Sequence, residues 1–260
     1  MALIKYNLNG QEVEYDDTEF KIRHRPRVKK DYLYYIGDGE NVINPKGNTS
    51  CYCMFADYEG YSLDLSKFDT SKVVNMDGMF FSCKNLKTLN VENFNTENVV
   101  NMNGMFSFCK NLEQLDLSNF STKNIVDMND MFMYCESLKQ LNLSNFDTHN
   151  VIDMGRMFYN CQNLKELDLS NFTAEKVKYA NEMFLDCMNL KEIDISNFCI
   201  ESIAKLSNIF YGCEKLGKAK VNSNSFQFVS NYKEYLFDDC NNVTIIPINR
   251  FDKAVKDLFY

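Results

Sequence analysis

From Leu112 to Ser137 the chain reads L-x-x-L-x-L-S-N-F-x-T-x-x-[VI]-x-x-M-x-x-M-F-x-x-C-x-x, and its apolar positions return every 26 residues. Phe80, Phe106, Phe132, Phe158, Phe184 and Phe210 keep that step, and so do Leu86, Leu112, Leu138, Leu164, Leu190 and Leu216. Columns held in step over six rungs are the signature of a solenoid. Each rung mixes two periods. Leu89 and Val91, like Leu115 and Leu117, alternate with polar residues and predict a short strand. Met76, Met79, Phe80 and Cys83 fall at i, i+3, i+4 and i+7, which predicts a short helix on the opposite side of the coil. The Asn-Phe-x-Thr segment between them supplies turn chemistry.

A single rung cannot bury both faces, so neighbours stack and stability accumulates rung by rung. The predicted fold is therefore a repeat solenoid, a coil of short parallel strands with short helices opposite. About seven rungs spaced by about 4.8 Å give a core roughly 30–35 Å long. Bare ends would expose core and strand edge, so caps are expected at both ends. Residues 1–47 read as a β cap, 48–221 as the solenoid and 222–260 as a C-terminal cap. The front cap opens on a hairpin from Lys5 to Glu14 with Asn9-Gly10 at its turn. At the far end Phe237 and Cys240 echo Phe210 and Cys213, and Phe251 to Phe259 predicts a closing amphipathic helix.

The combination C-x-x-L-x-x-L-x-L with M-F-x-x-C resembles the BspA-like leucine-rich repeats. It is more closely similar to the 26-residue repeat of bacterial surface lipoproteins. Phe68-Asp69-Thr70, Phe94-Asn95-Thr96, Phe120-Ser121-Thr122 and Phe146-Asp147-Thr148 carry that likeness. The resemblance spans about 54–217 and implies a right-handed leucine-rich-repeat solenoid used for protein contact, often at cell surfaces.

Charge and candidate chemistry narrow the function. The 28 basic and 36 acidic residues leave a net charge of −8, which argues against a generic phosphate or nucleic-acid binder. The amino terminus is too polar too soon for a signal peptide and no apolar run approaches membrane length, so a cytoplasmic protein with no membrane partner is expected. The cysteine column Cys83, Cys109, Cys135, Cys161, Cys187 and Cys213 reads as small buried hydrophobes. Cys51-x-Cys53 is too closely spaced for a zinc knuckle, and the chain has only two histidines, so no metal site or cofactor is expected. His24 and His149 read as surface residues. No nucleophile motif or phosphate loop appears, which predicts a protein that is not an enzyme. The Asn column at 93, 119, 145, 171 and 197 predicts amides bonded to backbone of adjacent rungs.

Three surfaces remain for a partner. Outward strand positions form the columns Thr88, Gln114, Gln140, Glu166, Glu192, Lys218 and Asn90, Asp116, Asn142, Asp168, Asp194, Lys220. Their acidic members Asp116, Glu166, Asp168, Glu192 and Asp194 are candidates for docking a complementary protein. Between Phe and Cys of each rung lie large apolar groups: Phe81, Phe108, Met133 with Tyr134, Tyr159, Leu185 and Tyr211. Exposed together, they would form an aromatic patch centred on Tyr134 and Tyr159. Finally, Lys21, Arg23, Arg25, Arg27 and Lys29 alternate along one strand. Cross-strand pairing with Glu12, Glu14 and Asp16 is the favoured expectation. The alternative is a polyanion site on Arg23, Arg25 and Arg27. Together these features predict a non-catalytic protein–protein interaction module, a scaffold, adaptor or inhibitor.

Overall fold

In a computed structural model, which describes residues 3–25 and 30–249, the repeat coils into a β-solenoid of about seven turns. Strands β1 (Leu3–Leu8) and β2 (Gln11–Asp16) form the first hairpin, β3 (Phe20–Arg25) and β4 (Lys30–Tyr35) the second. Asn9 and Gly10 both take positive φ, 53° and 95°, as a tight two-residue hairpin turn requires. The rung strands follow: β5 (Ser62–Asp64), β6 (Thr88–Asn90), β7 (Gln114–Asp116), β8 (Gln140–Asn142), β9 (Glu192–Ile195), β10 (Lys218–Asn222) and β11 (Thr244–Ile248). They pair in parallel and in register as three short sheets, β5–β6, β7–β8 and β9–β10–β11, with Leu115 opposite Leu141 and Ile193 opposite Ala219. The sheet runs on beyond Val221: β11 pairs with β10, and helices α1 (Phe226–Asn231) and α2 (Lys233–Leu236) bridge the two. The expected helix at Phe251 to Phe259 lies outside the described residues.

The opposite wall corrects the sequence reading. No helix forms over Met76 to Cys83; the chain there makes successive turns, with left-handed backbone at Gly78 and Ser82 and again at Gly104 and Phe108. The reason lies in where the amides go. Within a helix they would bond four residues back in the same rung. Here Met76, Gly78, Phe80 and Ser82 donate to the carbonyls of Asn101, Asn103, Met105 and Ser107 in the next rung, at 2.7–2.9 Å. Turns can still bring Met, Met, Phe and Cys inward at helical spacing, so the side-chain period alone does not separate the two. A parallel bridge ladder through Ser50, Asn75, Asn101, Asp127, Asp153, Tyr179 and Lys205 runs along this wall.

Between the two walls the core is a series of columns. Phe55, Phe80, Phe106, Phe132, Phe158, Phe184, Phe210 and Phe237 stack with centroids 4.9–5.6 Å apart. That spacing matches the strand repeat, so each ring meets its neighbours face to face. The Met and Cys columns are fully buried beside it.

Polar ladders close the corners. The Asn column donates to the preceding rung as the sequence predicts, Asn93 to the Ser66 carbonyl and Asn197 to that of Ser170, both at 2.8 Å. Two further Asn ladders escape the sequence reading, through Asn111 to Lys84 and Asn124 to Glu97, both at 2.7 Å. Buried Thr70, Thr96, Thr122 and Thr148 each donate to a carbonyl of the following rung and accept an amide from it. The Asn119 amide reaches three carbonyls, those of Val91, Glu92 and Phe94, at 3.1, 3.0 and 2.9 Å. Asn119→Ala is expected to lower unfolding stability by about 1–2 kcal/mol, because it strips carbonyl partners at once. A urea titration showing a loss below about 0.5 kcal/mol would make the ladder ornamental.

Candidate functional site

The sheet face comes first. Asp116, Glu166, Asp168 and Glu192 are exposed and Asp194 is half-buried. Geometry assigns three of these carboxylates local work. Asp116 and Asp168 each accept the amide two residues on, from Ser118 and Ser170 at 2.9 Å, and Asp194 accepts that of Ser196 at 3.0 Å. Those backbone bonds hold the Asp116 and Asp168 carboxyls below the usual carboxylate range. The shallow trough along this face is lined by six carboxylates, Glu113, Asp116, Glu166, Asp168, Glu192 and Asp194. It is lined equally by six lysines, Lys87, Lys139, Lys165, Lys191, Lys218 and Lys220. Lys139 pairs with Glu113 at 2.6 Å. Lys87, Lys139 and Lys191 just before their strands, with Lys165, Lys218 and Lys220, thus balance the acidic columns, and the face carries no net sign to steer a partner.

On the turn wall, Phe81 is exposed while Phe108, Tyr134 and Tyr159 are half-buried. They form one continuous ridge: Phe81 to Phe108 at 5.6 Å, Phe108 to Tyr134 at 4.7 Å, Tyr134 to Tyr159 at 5.2 Å. A hydrogen bond with Tyr134 pushes the Tyr159 phenol up to about 12. Met133 and Tyr211 are half-buried, but Leu185 is buried and drops out of the row. Its inward turn ends the ridge after Tyr159.

The backbone beneath the ridge is unusual. Ser82, Asn160, Asp186 and Gly212 occupy the same left-handed turn position in other rungs, and small or amide-bearing residues tolerate it best. Phe108 and Tyr134 sit there at φ 62° and 59°. Aromatic side chains are disfavoured in that region by about 1–2 kcal/mol. A second ridge escapes the sequence reading: Val74, Val100 and Val126 are 44%, 47% and 41% exposed. The signal is available in the doublets Val73-Val74, Val99-Val100 and Ile125-Val126. Only the first of each can point inward along an alternating chain.

In the cap, β3 does not face the acidic hairpin. Its partner is β4, with Lys21 opposite Tyr34, Arg23 opposite Tyr32 and Arg25 opposite Lys30. Glu12 and Glu14 are instead near Lys5 and Lys46, at 3.8 and 3.9 Å, and Asp16 accepts from Thr18. The expected cross-strand charge pairing is therefore overturned, because the chain between β2 and β3 turns the basic strand towards a later tyrosine-rich one. Arg27 and the side chain of Arg25 lie outside the described residues. His24 Nδ1 and the Tyr6 hydroxyl both bond Asp31 at 2.8 Å.

The cysteine column is made of free thiols. Each points its Sγ at a phenylalanine carbonyl of the preceding rung, Cys109 to Phe80 and Cys135 to Phe106 at 3.2 Å. Among the described residues no group of three or more His, Cys, Asp and Glu side chains could hold a metal ion. None of their helices is long and apolar enough to cross a membrane. The chain matches the family described as "Mycoplasma protein of unknown function, DUF285" over residues 49–141 and 139–249. No curated protein and no solved structure matched.

Proposed function

Since the chain belongs to the DUF285 family, and its solenoid fold is compatible with protein interaction, we propose that it is a non-catalytic protein-binding module, a scaffold or adaptor. It grips its partner by the aromatic ridge from Phe81 to Tyr159. The observation that carries this reading is the placement of Phe108 and Tyr134 on left-handed backbone, half-exposed, where other rungs carry Ser82 or Asn160. Their stacking returns no more than the left-handed backbone costs, so folding gains little from bulky rings there. Tyr and other aromatics are the usual anchors of tight interfaces, and the outward strand columns of the sheet face hold none, Tyr61 standing just before β5 at its first rung. The likeness of the rungs to BspA-like leucine-rich repeats supports the same class of function, and with it a cell-surface setting as the alternative to the cytoplasm.

Tyr134→Asn separates binding from folding. Relief of left-handed strain offsets the lost stacking, so stability should change by less than about 1 kcal/mol. Partner capture should be lost. A photo-crosslinking residue at Phe81 should label one protein in the native cell's lysate, and the same residue at Gln140 on the sheet face should not. Labelling from Gln140 alone, abolished by reversing Asp168, Glu192 and Asp194 to lysine, would transfer the role to the sheet.

A further inference from the structure

The second hairpin of the cap differs in charge from the rest of the molecule. Residues 20–35 hold six basic side chains and one carboxylate, which leaves 28 − 6 = 22 basic and 36 − 1 = 35 acidic residues elsewhere. A segment of +5 therefore sits on a body of −13. The register sorts this segment into two faces, because residues directly opposed in an antiparallel pair project to the same side. One face pairs Phe20 with Tyr35, Ile22 with Leu33 and His24 with Asp31. Phe20, Leu33 and Tyr35 are buried there, and the Tyr35 ring lies 5.1 Å from Phe55 of the first rung. The other face holds Lys21 and Arg23 opposite Tyr34 and Tyr32, with Lys30 two residues before Tyr32: only lysine, arginine and tyrosine. Lys21, Arg23 and Lys30 are exposed, and none of the ion pairs among the described residues uses them. The Arg23 guanidinium lies 3.3 Å over the centre of the Tyr34 ring. The ribbon's one carboxylate, Asp31, is on the inner face and engaged by His24 and Tyr6.

We propose that the outer face of the β3–β4 ribbon binds single-stranded nucleic acid. Alternate side chains along a strand stand about 6.7 Å apart, a spacing comparable to successive phosphates of an extended single strand. Exposed Arg23, backed by Tyr34, gives a flat cationic platform on which a base can stack. Apart from phosphate attraction, that platform is what distinguishes a nucleic-acid strand from a lipid surface. Anionic lipid shares the phosphate attraction but offers no base to stack on Arg23, which favours the nucleic-acid strand. The rest of the chain has an excess of carboxylates and a net charge of −13, which disfavours a polyanion beyond the ribbon and limits the bound stretch to a few nucleotides. A duplex would bring its second strand against those carboxylates, which favours a single strand.

The test uses the full chain and a labelled oligouridylate of about 12 nucleotides, followed by fluorescence anisotropy between about 50 and 200 mM salt. Binding should weaken with salt, and the combined Lys21→Ala, Arg23→Ala, Lys30→Ala variant should reduce the log–log slope by about 2, since each phosphate that is no longer neutralised removes about 0.7. Arg23→Lys keeps the charge but loses the stacking plane. It should weaken oligouridylate binding about fivefold or more while leaving inorganic polyphosphate binding unchanged. All substituted side chains are exposed, so unaltered thermal melting confirms that each variant is folded. The proposal is overturned by any of three results: no anisotropy change at the lowest salt, wild-type binding by the triple variant, or equal effects of Arg23→Lys on oligouridylate and polyphosphate. Tighter association with phosphatidylserine vesicles than with the oligonucleotide overturns it in favour of a membrane surface.

Discussion

Phe132→Ala is expected to destabilise the protein by about 4 kcal/mol, the upper range for removing a buried aromatic ring. The ring is fully buried and stacked on both faces, against Phe106 at 5.6 Å and Phe158 at 5.6 Å. Two things make the loss large. Stacked pairs contribute about 0.5–1.5 kcal/mol beyond the area they bury, and this ring takes part in two. The cavity left behind also cannot collapse, because the rungs on either side are held at fixed spacing by backbone bonds, Phe106 to the Met131 carbonyl and Phe132 to that of Met157, both 2.9 Å. A site that cannot relax keeps its whole cavity penalty. Phe237 stacks on one partner only among the described residues, Phe210 at 4.9 Å, so Phe237→Ala should cost less. Denaturant midpoints for the two variants decide it. Equal losses at Phe132 and Phe237 would mean that the stack is not the source of the stability.

The repeat is readable from sequence because its signal is redundant. Six phenylalanines, six leucines and six cysteines in step leave one way to stack, and the buried columns and in-register strands follow from it. What the sequence hides is the turn wall. A helix and a chain of turns can both bring Met76, Met79, Phe80 and Cys83 inward. The difference lies in whether amides bond within a rung or across rungs, and side-chain period carries no information about that. The left-handed positions are hidden for the same reason, since Phe108 and Tyr134 are not residues that advertise such a backbone. The surfaces are partly legible. Tyr134 and Tyr159 stand out by their place in the rung and do lie together on one ridge. The valine ridge escapes because both members of each doublet suit a core. In the cap, the basic stripe is plain in the alternation, but its strand partner is not the one that proximity in sequence suggests. Acidic Glu12 and Glu14 are nearer along the chain than Tyr32 and Tyr34, yet β4 is the neighbour.

These surfaces divide the molecule's labour. The interior columns set rung spacing, and any side chain placed outside a column is then repeated or interrupted along a fixed ruler. The phenylalanine stack tolerates no interruption. The ridge outside it does, ending where Leu185 turns inward. A surface that stops within a repeat is more informative than one that continues, because stacking alone would have continued it.

The cysteine column makes the fold sensitive to alkali. Burial pushes the Cys135 and Cys187 thiols up to about 12, and raises Cys51, Cys109 and Cys161 as well. In the unfolded chain a thiol titrates near about 8.5. Above that pH the unfolded state sheds protons that the folded state keeps, so each step upward favours unfolding. The contribution of the thiols is complete below about pH 8.5 and is lost progressively as pH rises towards the folded values near 12. Each buried thiol takes away at most about 1.4 kcal/mol per pH unit in that window, and several act together. Urea midpoints measured from neutral pH to about pH 10 should therefore fall steeply once past the thiol range. The double variant Cys135→Ala, Cys187→Ala starts lower at neutral pH, having lost two packed side chains, but its decline with pH should be shallower by about 2.8 kcal/mol per unit at most. Exposed Cys199 should react at once with a thiol reagent under native conditions, and the buried column only on unfolding. If the double variant declines as steeply as the parent, alkali acts through some other group and the thiol column is passive filling.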